Sequence, residues 1–200
     1  MKNGPIIKLK KNIRPFHMAV ILTFAVLVTL SLVFEMVRRQ NPAETLFTSS
    51  APRQANLYFK IQNPAGRSQD FVRLTGNGYL LLYVWNTECA ACLEEMTQLN
   101  AMTTQISNRQ LRVVPVATDA AASDVINFIR RNQLNGLRAY RIDARFSALE
   151  ALGIQRVPAR YLIDPKGKIL GVADRPVPWS DPRVVDTLRM NTQSVLASVR

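Results

Sequence analysis

Two cysteines stand three residues apart, in Cys89-Ala-Ala-Cys92, and the chain has no others. Thiols at that spacing can close a small disulfide and reopen it, provided that one of them ionises readily and meets solvent. Ahead of them Tyr79-Leu-Leu-Leu-Tyr-Val-Trp85 is a continuous apolar, β-rich run; after them Cys92, Met96, Leu99 and Met102 recur at helical spacing. A strand is therefore expected over 79–85 and a helix from near Cys89 to about Gln105. Cys89 would lie at the helix N-terminus, where unpaired N–H groups and the helix dipole favour a thiolate, with Cys92 in the first turn. In that geometry the Cys89 thiolate attacks a disulfide and forms a mixed disulfide, which Cys92 resolves by attacking Cys89.

Other uses of two cysteines fit less well. A structural zinc site usually takes four ligands, and the one histidine, His17, falls in an apolar run far from the pair. A purely structural disulfide across three residues closes too small a loop to restrain the unfolded chain much. Soft thiolates also suit Cu(I), so a copper-binding module stays open as an alternative.

The elements that must position the pair alternate between strand and helix. Leu111–Thr118 reads as a second buried strand, with Pro115 expected to mark a bulge or a strand end. Ser123 is placed to cap a helix whose Val125, Phe128 and Ile129 share one face. A short strand near Arg138–Ile142 and a short helix near Phe146–Leu152 follow. Arg160–Ile163 and Lys168–Val172 then form a hairpin, because Asp164-Pro-Lys-Gly167 has the residues of a type I turn. Asp181-Pro182 opens a last helix, proline being suited to the first helical position. That order predicts an α/β domain with a mixed sheet and helices on both faces.

Together these segments resemble the thioredoxin-like superfamily, and within it the TlpA/ResA/DsbE group of membrane-tethered thiol–disulfide oxidoreductases. The resemblance rests on Trp85-Asn-Thr-Glu-Cys-Ala-Ala-Cys92, Gly153-Ile-Gln-Arg-Val-Pro158, the hairpin 160–167 and Trp179-Ser-Asp-Pro182, and spans roughly 55–192. It implies that Pro158 is a cis-proline facing the cysteines and that the backbone of Val157 pairs with an extended substrate segment. It implies a proton-transfer role on Cys92 for Glu95, a solvated helix glutamate being the alternative, and active-site packing for Trp85, which core packing explains equally well.

The chain also departs from the group. Glu88 and Ala90-Ala91 replace the usual tryptophan before the first cysteine and the frequent proline between the two. A carboxylate at Glu88 should oppose ionisation of Cys89, which suits a reductant better than a strong oxidant. Tyr83 stands where thioredoxin has a buried acid. Ala159-Arg160 replaces a glutamate that haem-maturation members carry after the cis-proline, which weakens a specific cytochrome c assignment. Arg156 and Arg160 flank the cis-proline instead and would favour an acidic substrate, unless they are ordinary surface arginines.

Residues 16–34 are nineteen apolar or uncharged residues, about 28 Å of helix and close to the hydrocarbon thickness of a bilayer. Five Lys or Arg precede the run and Arg38-Arg39 follow it, so the expected orientation leaves the N-terminus in the cytoplasm. A cleaved signal peptide is the rival, but the nearest small-residue site, Ser49-Ser-Ala51, is distant and followed by Pro52. The expected organisation is a basic N-terminus over 1–15, a transmembrane anchor over 16–37, a linker over 38–54 and a thioredoxin-like domain over 55–200.

Length and charge set the remaining bounds. Two hundred residues hold one ordinary domain with chain to spare. Seven of the 26 Lys and Arg lie in residues 1–39 against the single acid Glu35, so half of the +12 net charge precedes residue 40 and the rest is dispersed. Nucleic-acid binding is not expected from so thin a distribution. A peroxidase would carry a Pro-x-x-x-Thr-x-x-Cys pattern at Cys89, and it does not.

The reading is a single-pass protein of the bacterial cytoplasmic membrane whose C-terminal domain faces the periplasm or extracytoplasmic space. There it exchanges disulfides with protein substrates, as a reductase, with maturation of cytochrome c or another metalloprotein among its uses. Its chemistry needs no bound cofactor and no metal. The resemblance implies electrons from a transmembrane thiol carrier of the DsbD/CcdA kind. A disulfide-donating oxidase is the alternative direction.

Overall fold

The computed structural model describes residues 15–39, 47, 53–75, 78–106, 111–119, 121–137, 141–143 and 146–189. The chain divides into two compact units, Met1–Asn41 and Pro42–Arg200. The first contains helix α1 (Pro15–Arg39). Its described side chains, residues 20–34, are all exposed. The anchor expected over 16–37 runs past those side chains at both ends. Among the described residues no helix is long and apolar enough to cross a membrane.

The second unit is built on an eight-stranded sheet. Its strands are β1 (Arg53–Gln54), β2 (Lys60–Gln62), β3 (Ser68–Asp70), β4 (Tyr79–Trp85), β5 (Leu111–Ala117), β6 (Arg141–Asp143), β7 (Ala159–Ile163) and β8 (Lys168–Val172). Their spatial order is β1-β8-β7-β4-β5-β6-β2-β3, with β4–β5 and β5–β6 parallel and the other pairs antiparallel. Among the described residues this unit's α-helices are α2 (Ala90–Met102), α3 (Ala122–Arg131), α4 (Ser147–Leu152) and α5 over 182–189.

Strand β4 lies between β7 and β5, and every one of its residues is buried. Side chains alternate across a strand, so Tyr79, Leu81, Tyr83 and Trp85 enter one core while Leu80, Leu82 and Val84 enter the other. The first core is closed by Met96 and Leu99 of α2, Val125 and Phe128 of α3, and Val184 and Leu188 of α5. The second takes Phe59, Phe71 and, from α4, Ala148 and Leu152. A strand covered on both faces has no use for an apolar–polar alternation, which is why this one reads as a single apolar run.

Three local expectations are corrected. Pro115 makes neither a bulge nor an end; it sits inside β5 opposite Tyr83. On the other side, among the described residues, β6 pairs with Val116 and Ala117. Ser123 is not a cap: α3 starts at Ala122 after Ala121, which offers no side-chain bond, and Ser123 falls inside the first turn. Arg53 and Gln54, expected in the linker, pair as β1 with Ile169 and Lys168 of β8.

The hairpin forms as expected. Gly167 N–H donates to the Asp164 carbonyl at 3.0 Å, and Asp164 Oδ1 accepts from the N–H groups of Lys166 and Lys168 at 2.8 Å each. Gly167 has φ +80°, a conformation that favours glycine. The strand expected near 138–142 appears as β6; residues 138–140 lie outside the described residues.

Candidate functional site

The connection from β4 to α2 leaves the sheet at Trp85 and reaches the helix at Ala90. Its bend is held from the neighbouring strand's end. Asp119, just past β5, accepts from the Thr87 N–H at 3.0 Å and from the Thr87 hydroxyl. Glu88 follows, exposed in the turn. Cys89 is the residue that caps α2, and its Sγ accepts from the Cys92 N–H at 3.1 Å. The sulfur thus occupies the place where a helix N-terminus offers its unpaired donors.

Cys89 and Cys92 are joined in a disulfide, S–S 2.04 Å. The two sulfurs are not equivalent. Cys89 is half-buried at the mouth of the helix, whereas Cys92 is fully buried in the first core. An incoming thiol or disulfide therefore meets Cys89, and Cys92 is sheltered behind it.

Behind Cys92 lies a charged cluster inside the core. Glu95, one turn further along α2, is 3% exposed, and so is Arg160 of β7. Arg160 Nη2 donates to Glu95 Oε1, and Arg160 Nε donates to Oε2 at 2.6 Å. Trp179 Nε1 donates to the same Oε2 at 3.1 Å. A planar guanidinium matches a carboxylate in this two-pronged way, and burial without such a match would be costly. Arg160 Nη1 turns the other way, donating to the carbonyls of Pro158 at 3.3 Å and Ala173 at 3.2 Å. Glu95 is thus not a solvated helix glutamate. Arg160, expected beside the substrate or at the surface, is an interior residue; the exposed arginine at this edge is Arg156.

Tyr83 is enclosed with this cluster, and its hydroxyl donates to the Cys92 carbonyl at 3.5 Å. Burial pushes the phenol well above its ordinary range, and the nearby Glu95 carboxylate adds to that while Arg160 opposes it. It is a neutral hydroxyl where an acid was missed, and the carboxylate of this core arrives from α2 instead.

The Val157–Pro158 peptide is cis. Ala159, the next residue, pairs with Val84 near the end of β4. The antiparallel register therefore brings Val157 and Pro158, both half-buried, to the sheet end from which the cysteine-bearing connection departs. Beside them a cavity of about 500 Å³ is lined by Gln155, Arg156, Pro158, Tyr161 and Asp174, among others.

Trp85 is fully buried against Phe128, ring centroids 4.9 Å apart, and its Nε1 finds no hydrogen-bond partner among the described residues. Its position is that of a core residue at the base of the connection. No group of three or more His, Cys, Asp or Glu is gathered as a metal site among the described residues.

Sequence reasoning missed the partnership of Glu95 with Arg160 and Trp179, and the anchor at Asp119. A signal existed for the first. Glu95 adjoins the buried stripe of Cys92, Met96 and Leu99, and Arg160 interrupts the apolar strand Ala159–Ile163, so two opposite charges faced interiors that tolerate them only as a pair.

Residues 52–172 match the AhpC/TSA family. Among curated proteins the chain is similar to the thiol-disulfide oxidoreductase ResA of Bacillus thuringiensis subsp. konkukian, 24% identical over 112 residues, which are 56% of this chain and 63% of that protein. The chain thus spans less than two thirds of the length of this relative. Among solved structures it is similar to a thiol:disulfide interchange protein from Bacteroides sp., with a TM-score of 0.60 at 19% identity over 72% of this chain and 91% of that one. A secreted Mycobacterium tuberculosis disulfide oxidoreductase homologous to E. coli DsbE gives a TM-score of 0.55 at 18% identity, covering 68% and 97%. These likenesses carry the fold: a thioredoxin-like α/β domain with a mixed sheet between helices.

Proposed function

The chain belongs to the AhpC/TSA family, and from that premise we propose that it is a thiol–disulfide oxidoreductase acting on protein disulfides outside the cytoplasm, in the reducing direction. The observation that carries the reading is the inequality of the two sulfurs: Cys89 half-buried at a helix N-terminus, Cys92 buried one turn behind it and bonded to it.

In the reduced protein the Cys89 thiolate attacks one sulfur of a substrate disulfide. The substrate S–S bond breaks, its other sulfur leaves as a thiolate and takes a proton, and a mixed disulfide links Cys89 to the substrate. Cys92 then loses its proton and attacks Cys89 Sγ; the mixed disulfide breaks, and the second substrate sulfur departs and is protonated. The substrate has gained two electrons and two protons, and the protein is left as the Cys89–Cys92 disulfide. Val157 and Pro158 hold the substrate backbone during this exchange, Glu95 assists the proton of Cys92, and Glu88 weakens ionisation of Cys89. A membrane thiol carrier of the DsbD/CcdA kind returns the electrons. The apolar run expected as an anchor over 16–37, which extends beyond the described side chains 20–34, tethers the domain to the bacterial cytoplasmic membrane as a single pass.

The reduction potential of the full-length chain, equilibrated against glutathione and dithiothreitol buffers, tests the direction. A value near or below about −220 mV supports a reductase, whereas one near about −120 mV makes the protein a disulfide donor. Cys89→Ser should abolish insulin reduction and Cys92→Ser should accumulate mixed disulfides; insulin reduction surviving Cys89→Ser ends the exchange reading. Labelling of the reduced cysteines by a membrane-impermeant maleimide in intact spheroplasts tests the location, and label that appears only after lysis reverses it.

A further inference from the structure

Arg160 does more than neutralise a buried acid. Its three nitrogens are divided between two structures: Nε and Nη2 are occupied by Glu95 of α2, while Nη1 reaches the carbonyl of Pro158 and that of Ala173 just beyond β8. The guanidinium is planar and stiff, so these contacts fix one another's directions. Two carbonyls and a carboxylate from three separate parts of the chain are thereby held around one side chain. Trp179 closes the cluster on the Glu95 side.

The consequence falls on the substrate edge. The Pro158 carbonyl belongs to the segment that presents the Val157 backbone at the end of the sheet, and Pro158 is only half-buried. Two residues further on, Arg160 is enclosed in the core and pairs with Tyr83 across the sheet. Glu95 is in turn rigidly carried by the helix that begins at Cys89. A bond network therefore runs from the segment that would grip a substrate backbone to the helix that bears the thiols.

We propose that Arg160 is a positioning residue which sets the Val157–Pro158 segment against the thiol-bearing helix through Glu95, and so determines how well an extended peptide disulfide is engaged. This rests on the reading of the site as a thiol–disulfide exchanger. Arg160 touches no substrate. It orients the backbone that does, and peptides that use that backbone feel its loss while small disulfides that need only the sulfur do not.

The test compares two substrates on the full-length chain: an extended peptide whose cysteine is disulfide-bonded to a second copy of itself, and 2-hydroxyethyl disulfide. The quantity read is the ratio of their kcat/KM values. Arg160→Met is the direct variant. Arg160→Met combined with Glu95→Leu replaces the ion pair by apolar groups of similar size and keeps the measurement possible if the single variant fails to fold. In both, the peptide-to-small-disulfide ratio should fall about tenfold, mostly through the peptide KM, as expected for a clamp displaced by a fraction of an ångström. Arg160→Lys, which keeps the charge but not the fork, should recover part of the ratio. An unchanged ratio in the folded variants overturns the proposal; a loss that both substrates share in the double variant belongs to the removal of Glu95 from beside Cys92 and cancels in the ratio. Wild-type protein inactive toward both disulfides would instead overturn the exchange reading, and this proposal with it.

Discussion

Two carboxylates are buried on opposite sides of the same sheet, and the protein treats them differently. Glu95, in the core beneath the cysteines, meets a cation and an indole N–H. Asp143, 5% exposed at the end of β6, is met among the described residues by neutral donors, the Ser147 hydroxyl and the Ala148 N–H at the start of α4 at 2.8 and 2.9 Å among them. Burial raises the Asp143 carboxyl above the ordinary value despite those bonds, so desolvation outweighs what a short helix start can return. A buried acid that joins one helix to one strand can be served by neutral donors. One that must tie three segments together across the core has recruited a guanidinium.

The comparison can be pressed hardest by removing the cation. Arg160→Met should cost about 3–5 kcal/mol of stability, because it leaves Glu95 buried without its partner; denaturant unfolding measures it, and a loss under about 1 kcal/mol would mean that water reaches Glu95. Replacing both members by Leu and Met should cost far less, within about 1 kcal/mol of the parent or even a gain, since the pair must first offset its own desolvation. The smallest effect belongs to Asp143. Its folded value is raised from 3.8, so the folded state holds that proton more tightly than the unfolded state does. Its ionisation therefore subtracts stability as pH rises through 3.8 and the raised value, and the loss is complete above both. Asp143→Asn should flatten that part of the stability–pH curve, and an unchanged slope would assign it to other groups.

The same contrast governs what could be read in the linear chain. The β4 run, the helix after it and the turn at Asp164–Gly167 were legible because each is dictated by neighbours in sequence, through side-chain period or turn chemistry. The cis peptide before Pro158 followed from resemblance and is present. Strands β1 to β3, two or three residues each, were not legible. Segments so short carry no period, and they exist only because a sheet edge is there to pair with.

Sequence alone placed the two sulfurs at a strand–helix junction, one at the helix mouth and one a turn behind. That placement needs nothing beyond the local rise of a helix and the burial of its apolar stripe. Which charge would stand behind the buried sulfur was another matter. Glu95 and Arg160 are 65 residues apart, and nothing local to either specifies the other. Their pairing was settled only when β7 docked antiparallel to β4 and α2 packed over both, because a buried charge is tolerable only where the completed fold supplies its opposite.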